Sequence, residues 1–152
     1  MTHLKVGDMA PDFSGLDAEG NNINSSDFLG KKVVLYFYPK DDTAGCTAEA
    51  CSFRDNYSTL QKAGLTIIGV SPDSVKKHSN FTEKYNLPFP LIADVDLKII
   101  KSYGVWGIKK MYGKEYEGVY RETFIIDESG KIHAIINKVK TKESAEQILS
   151  LI

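Results

Sequence analysis

Lys32-Val33-Val34-Leu35-Tyr36-Phe37-Tyr38-Pro39 is an unbroken β-branched and aromatic run, stopped by a proline that cannot continue a ladder. A run that is apolar at both parities has no solvent face. It therefore predicts a central strand with a hydrophobic layer on each side. Downstream of the polar loop Lys40 to Gly45, the residues Cys46, Ala50, Phe53, Tyr57 and Leu60 recur at helical spacing and stop before Gly64. Leu65 to Val70 repeats the strand pattern, and Val75, His78, Phe81 and Tyr85 repeat the helical one. The order is β-α-β-α.

Working outward, Pro88 and Pro90 bracket a short strand at Leu91-Ile92-Ala93, and Leu97, Ile100 and Tyr103 predict a short helix. Gly104 to Gly118 reads as a glycine-punctuated loop. Val119 to Asp127 and Lys131 to Asn137, on either side of Glu128-Ser129-Gly130, read as an antiparallel hairpin, followed by a last helix with Ala145, Ile148 and Leu149 inward. Toward the start, turn signals at Gly7-Asp8, Asp17 to Asn22 and Ser25-Ser26 surround Phe13 and Ile23 and predict an N-terminal β-hairpin. The expected class is α/β: a mixed central β-sheet flanked by helices, in a single domain over residues 1–152. A thioredoxin-like fold fits that order, and other α/β folds fit its first half equally well.

The chain has 152 residues, a formal net charge of -1, a hydrophobic fraction of 42% and a charged fraction of 26%. Balanced charge supplies no field to draw the protein to nucleic acid or an anionic membrane, and ordinary composition disfavours disorder and coiled coils. Met1 to Asp8 lacks the apolar run of a leader, and no stretch approaches the ~20 apolar residues of a membrane span, so a cytoplasmic location is expected. His3, His78 and His133 are widely scattered and, with two cysteines, build no usual zinc spacing.

The two cysteines carry the chemical signal. Cys46 falls in the first turn of a predicted helix, where unpaired backbone N–H groups and the positive end of the helix dipole favour a thiolate. Burial on the stripe with Ala50 and Phe53 explains Cys46 equally well when it is taken alone. Cys51 lies about 140° round the helix from Cys46, off that stripe, and their Cα atoms would be ~8.6 Å apart in a regular helix. A disulfide needs less than ~7 Å, so joining the two requires the first turns to unwind. An accidental pair and a general thiol–disulfide oxidoreductase both remain open, although the latter usually spaces its cysteines as C-x2-C.

Pro39, Thr43 and Cys46 reproduce the P-x-x-x-T-x-x-C pattern of the peroxiredoxins, which this chain resembles closely. Gly7 to Phe13, Val34 to Pro39, Tyr103 to Gly107 and Arg121 to Asp127 look like the bacterioferritin-comigratory, or peroxiredoxin Q, branch, and nearly the whole chain is covered. The resemblance implies a peroxidase for hydrogen peroxide and organic hydroperoxides, with Cys46 as nucleophile and Cys51 as resolving thiol. It implies recycling by thioredoxin or a glutaredoxin-like protein, and it leans toward a monomer. It assigns Arg121 to the thiolate and peroxide, Thr43 to the peroxide oxygens, and Pro39 to the pocket wall. No metal or organic cofactor is needed for that chemistry. Ala44 stands where the branch usually carries proline, which leaves the turn before Cys46 less rigid.

Overall fold

A computed structural model describes residues 2–152; Met1, which the expected domain includes, lies outside the described residues. The central run forms β3, Lys32–Phe37, flanked by β4, Leu65–Ser71, in parallel and by β8, Thr123–Ile126, antiparallel. Beyond β4 lies β5, Leu91–Ala93, also parallel, and beyond β8 lies β9, Ile132–Ile136, antiparallel. The N-terminal hairpin, β1 at Ser14–Leu16 and β2 at Asn22–Asn24, extends the sheet past β5, giving the order β2-β1-β5-β4-β3-β8-β9. This is a thioredoxin-like mixed sheet, as expected.

Alternate residues of β3 enter different apolar layers, which is why the run needed no polar position. Val34 and Tyr36 join Phe53, Leu60, Ile67 and Phe81 on one face, while Val33, Leu35 and Phe37 join Val70, Ile99, Ile100 and Phe124 on the other. The first layer is covered by α1, Ala44–Asp55, α2, Tyr57–Lys62, α3, Val75–Tyr85, and α5, Ser144–Leu149. The second lies under α4, Lys98–Ser102. In α5, Ala145 and Ile148 are buried and Leu149 packs half-buried against the same layer.

Three expectations are corrected. The helix read continuously from Cys46 to Leu60 is two helices, broken at Asn56, whose side-chain amide donates to the Ser52 carbonyl at 2.9 Å. An asparagine offering the backbone a local bond in this way interrupts a helix that apolar spacing alone would carry through. The stretch read as a loop from Gly104 to Gly118 contains a separate hairpin, β6 at Trp106–Met111 and β7 at Lys114–Val119. Its two-residue turn places Tyr112 at φ 52° and Gly113 at φ 76°, the left-handed pair of a tight hairpin, without the usual Asn-Gly. Finally, the strand read from Val119 to Asp127 breaks at Tyr120-Arg121-Glu122, which links β7 to β8. Arg121 therefore sits in a link between two sheets and not in a strand.

Candidate active site

Cys46 is the third residue of α1 and is buried, with Ala50 and Phe53 beneath it on the same stripe. The first ladder bond of α1 runs from the Thr47 N–H to the Thr43 carbonyl at 2.9 Å, so the N–H groups of Ala44, Gly45 and Cys46 have no partner within the helix. Above this turn the link after β7 delivers Arg121. Its Nη2 donates to Cys46 Sγ at 3.3 Å, and its Nη1 donates to Glu49 Oε1 at 2.9 Å. The guanidinium fork is thus shared between a sulfur and a carboxylate one helical turn apart. Thiolate and carboxylate charge both raise the Arg121 pKa against the opposing effect of its burial.

Glu49 escaped the sequence reading. It is fully buried, its Oε2 has no hydrogen-bond partner among the described residues, and burial raises its pKa to about 7 even though Arg121 draws it down. The signal was available in the stripe itself: Cys46, Glu49, Ala50 and Phe53 stand at i, i+3, i+4 and i+7, so a carboxylate occupies a core-facing position. Lys109, half-buried on β6, is a second cation near the site. Its ammonium donates to the Val119 carbonyl at 3.0 Å; burial and then Arg121 lower its pKa, while Cys46 opposes them. It was hidden by the reading of β6 as loop.

Thr43 takes the position before the helix, with extended backbone, and is exposed. Its hydroxyl donates to the Lys40 carbonyl at 3.0 Å and makes no bond to the helix N–H groups or to Cys46. Pro39 is half-buried just beyond β3. Cys51 is half-buried in the same helix as Cys46, and both thiols are free. The offset read from sequence holds, since the two residues lie within one helix, Cys46 buried and Cys51 only half-buried. Trp106 packs half-buried on the second layer, and its Nε1 donates to Glu117 at 3.3 Å.

Gly45 admits the arginine. A Cβ built there would stand 3.2 Å from Arg121 Nη2, tight enough that the guanidinium on Sγ must give by a few tenths of an ångström. Gly45→Ala is expected to slow oxidation of Cys46 by peroxide about tenfold, because small displacements of a positioned group are costly, while leaving thermal stability nearly unchanged. Stopped-flow measurement of the reduced protein checks this, and an unaltered rate would contradict the placement of Arg121.

A buried cysteine at a helix start, held by an arginine on a thioredoxin-like sheet, defines the peroxiredoxin class of thiol peroxidase. Comparison with known proteins agrees. The AhpC/TSA family matches residues 6–135. The chain is 46% identical to peroxiredoxin Bcp of Bacillus subtilis over 146 residues, covering 96% of this chain and 93% of that protein. It is 44% identical to peroxiredoxin Bcp of Escherichia coli K12 over 150 residues, covering 99% and 96%. Among solved structures it superposes on a cysteine mutant of Xylella fastidiosa PrxQ with a TM-score of 0.92 at 32% identity, covering 99% of this chain and 96% of that one. With the bacterioferritin comigratory protein of Xanthomonas campestris the TM-score is 0.87 at 35% identity, covering 99% and 96%. The chain belongs to the AhpC/TSA family, in its Bcp branch of thiol peroxidases.

Proposed function

We propose that Cys46 is the peroxidatic nucleophile and Cys51 the resolving thiol of a single thioredoxin-like domain over residues 1–152. The contact that carries this reading is Arg121 Nη2 on Cys46 Sγ at 3.3 Å, at the open start of α1. The Cys46 thiolate attacks one peroxide oxygen, the O–O bond breaks, and the second oxygen leaves with a proton as water or alcohol. The peroxide gains two electrons and Cys46 becomes a sulfenic acid. Arg121 stabilises the negative charge as it passes from sulfur to the leaving oxygen. The Thr43 hydroxyl proton is engaged by Lys40, which leaves the oxygen lone pairs free to accept a hydrogen bond from the incoming peroxide. Pro39 closes the pocket on the β3 side.

Cys51 then attacks the sulfenic sulfur: an S–S bond forms, the S–O bond breaks, and water leaves. An external dithiol reopens the disulfide by exchange, and thioredoxin or a glutaredoxin-like protein has the required chemistry. Hydrogen peroxide and organic hydroperoxides are the substrate class; work on the Xanthomonas campestris relative concerns alkyl peroxide reduction. Action as a monomer in the cytoplasm completes the reading; no helix of the described residues is long and apolar enough to cross a membrane.

The reduced protein, given hydrogen peroxide or cumene hydroperoxide, is expected to sustain turnover when coupled to thioredoxin and its reductase or to glutaredoxin and glutathione. Absence of peroxide consumption by the fully reduced protein would overturn the assignment.

A further inference from the structure

The loop between β3 and α1 is held from one side by α3 and the strand end before it. Asp41 is anchored at three points: its Oδ2 lies 2.6 Å from His78 Nδ1, its Oδ1 accepts from the Tyr38 hydroxyl at 2.6 Å, and its N–H donates to Asp73 Oδ2 at 2.8 Å. His78 is fully buried, and its Nε2 faces the Ile92 carbonyl at 3.0 Å. A carbonyl can only accept, so Nε2 is the donor there. The next residue, Asp42, has a φ of 61°, in the left-handed region that disfavours side chains with a Cβ. Lys84 Nζ at 2.8 Å and the Tyr85 hydroxyl at 2.9 Å hold its carboxylate there.

The far end of the reactive segment is tied down as well. Arg54 Nη1 donates to the Tyr85 carbonyl at 2.8 Å, and the Ala145 N–H donates to Ser52 Oγ at 3.1 Å. Between the anchored Asp42 and the anchored Ser52 lies the stretch 43–51, which contains Cys46 and Cys51 and is the part that must unwind before their sulfurs can meet. Thus α3 grips the loop upstream of the moving turns and α1 downstream of them.

We infer that His78 and Tyr85 are positioning residues that hold the loop at Asp41 and Asp42 in the arrangement that keeps α1 wound, and so set the rate at which Cys46 sulfenic acid is resolved by Cys51. Asp42 adjoins the first residue of the moving stretch, so on this inference its anchors are made while α1 is wound and given up as it unwinds, and releasing either removes a restraint on the wound form. The reach between the two sulfurs in the unwound form is set by the four residues between them and does not change. A sulfenic acid in the wound form stays exposed to a second peroxide, which oxidises it to sulfinic acid with release of water or alcohol. A loosened clamp therefore shifts the partition toward disulfide plus water. This rests on the assignment of Cys46 and Cys51 above.

The test is rapid quench with thiol alkylation and intact mass on wild type, His78→Asn and Tyr85→Phe. It reads three quantities: loss of the Cys46 thiol, formation of the disulfide, and the sulfinic fraction at excess peroxide. Disulfide formation is expected to be about fivefold to tenfold faster in His78→Asn, the net weight of one ordinary hydrogen bond, and about twofold to threefold faster in Tyr85→Phe, where Lys84 still holds the Asp42 carboxylate. The sulfinic fraction should fall in the same order, and oxidation of Cys46 should not accelerate. A role in stability alone would lower the melting temperature without moving this partition. Resolution no faster than wild type in either folded variant overturns the inference, and Tyr85→Phe, which keeps the half-buried ring and removes only the hydroxyl, decides if His78→Asn does not fold. A wild-type protein that forms no disulfide at all instead overturns the cysteine assignment, and this inference with it.

Discussion

Arg121→Gln is expected to lower the rate of Cys46 oxidation by about 100-fold to 1000-fold, the cost of removing one preorganised donor from a developing charge. The glutamine retains bulk and one donor, so the loss reports the cation and its fork. In the native site the guanidinium spends one arm on Sγ at 3.3 Å and the other on Glu49 at 2.9 Å, with about a fifth of its side chain exposed at 22%. Arg121→Lys keeps the charge as a point and loses the two-armed geometry, and should fall between wild type and glutamine. Pre-steady-state oxidation followed by tryptophan fluorescence or mass supplies the rates. A loss smaller than about threefold would remove Arg121 from the reacting centre.

Glu49→Gln should change the pH dependence of folding more than any other single substitution at the site. Burial raises the folded pKa of Glu49 from 4.5 to about 7, and Arg121 offsets only part of that. Between those values the folded protein keeps a proton that the unfolded chain releases, so wild-type stability falls as pH rises through the window from 4.5 to about 7 and then levels off. At about 1.4 kcal/mol per unit, the total is on the order of 3 kcal/mol. Glutamine cannot ionise and should lack this component, standing on the order of 3 kcal/mol above wild type near pH 8 and level with it near pH 4. Glu122, whose pKa burial also raises, contributes a slope of the same sign to both proteins, so the difference between them isolates Glu49. Urea unfolding of the reduced proteins across that range provides the check; parallel pH profiles would show that Glu49 is not held as described. The variant should also oxidise more slowly, since Arg121 loses the charge that aims its second arm.

The core of the fold was legible because its decisive element carries a two-sided pattern. Val33 to Phe37 alternate between two layers, and no exposed strand could be built of those residues. The β6–β7 hairpin was illegible for the opposite reason. Ile108, Lys110 and Met111, and then Lys114 to Glu117, stand exposed, so burial imposes no alternation on them, and the turn uses Tyr112-Gly113. Missing that hairpin also misplaced Arg121 in a strand. Its position is fixed by bonds on either side of the link, from the Tyr120 N–H to the Val105 carbonyl and from the Phe37 N–H to the Glu122 carbonyl.

Within the site, the motif residues were readable but their geometry was not. Cys46 at a helix start and Arg121 as its cation come together as expected, whereas the Thr43 hydroxyl turns to Lys40. His78 showed only as a member of an apolar stripe, because its partner Asp41 lies 37 residues earlier. Together with Asp73 it forms a buried cluster whose ligand-type atoms lie within 4.8 Å of one another, a proximity that spacing along the chain did not reveal. Ala44 sits exposed at the start of α1, where a proline would have fixed φ.

The central claim is that Cys46 takes the oxygen and Cys51 removes it. The measurement that tests it most directly is the intact mass, without reductant, of reduced wild type, Cys46→Ser and Cys51→Ser after one equivalent of hydrogen peroxide. Wild type should lose two hydrogen atoms as a Cys46–Cys51 disulfide, Cys51→Ser should gain one oxygen atom at Cys46, and Cys46→Ser should remain unchanged. A Cys46→Ser protein oxidised as fast as wild type, or a wild type that gains oxygen and forms no disulfide, would contradict it.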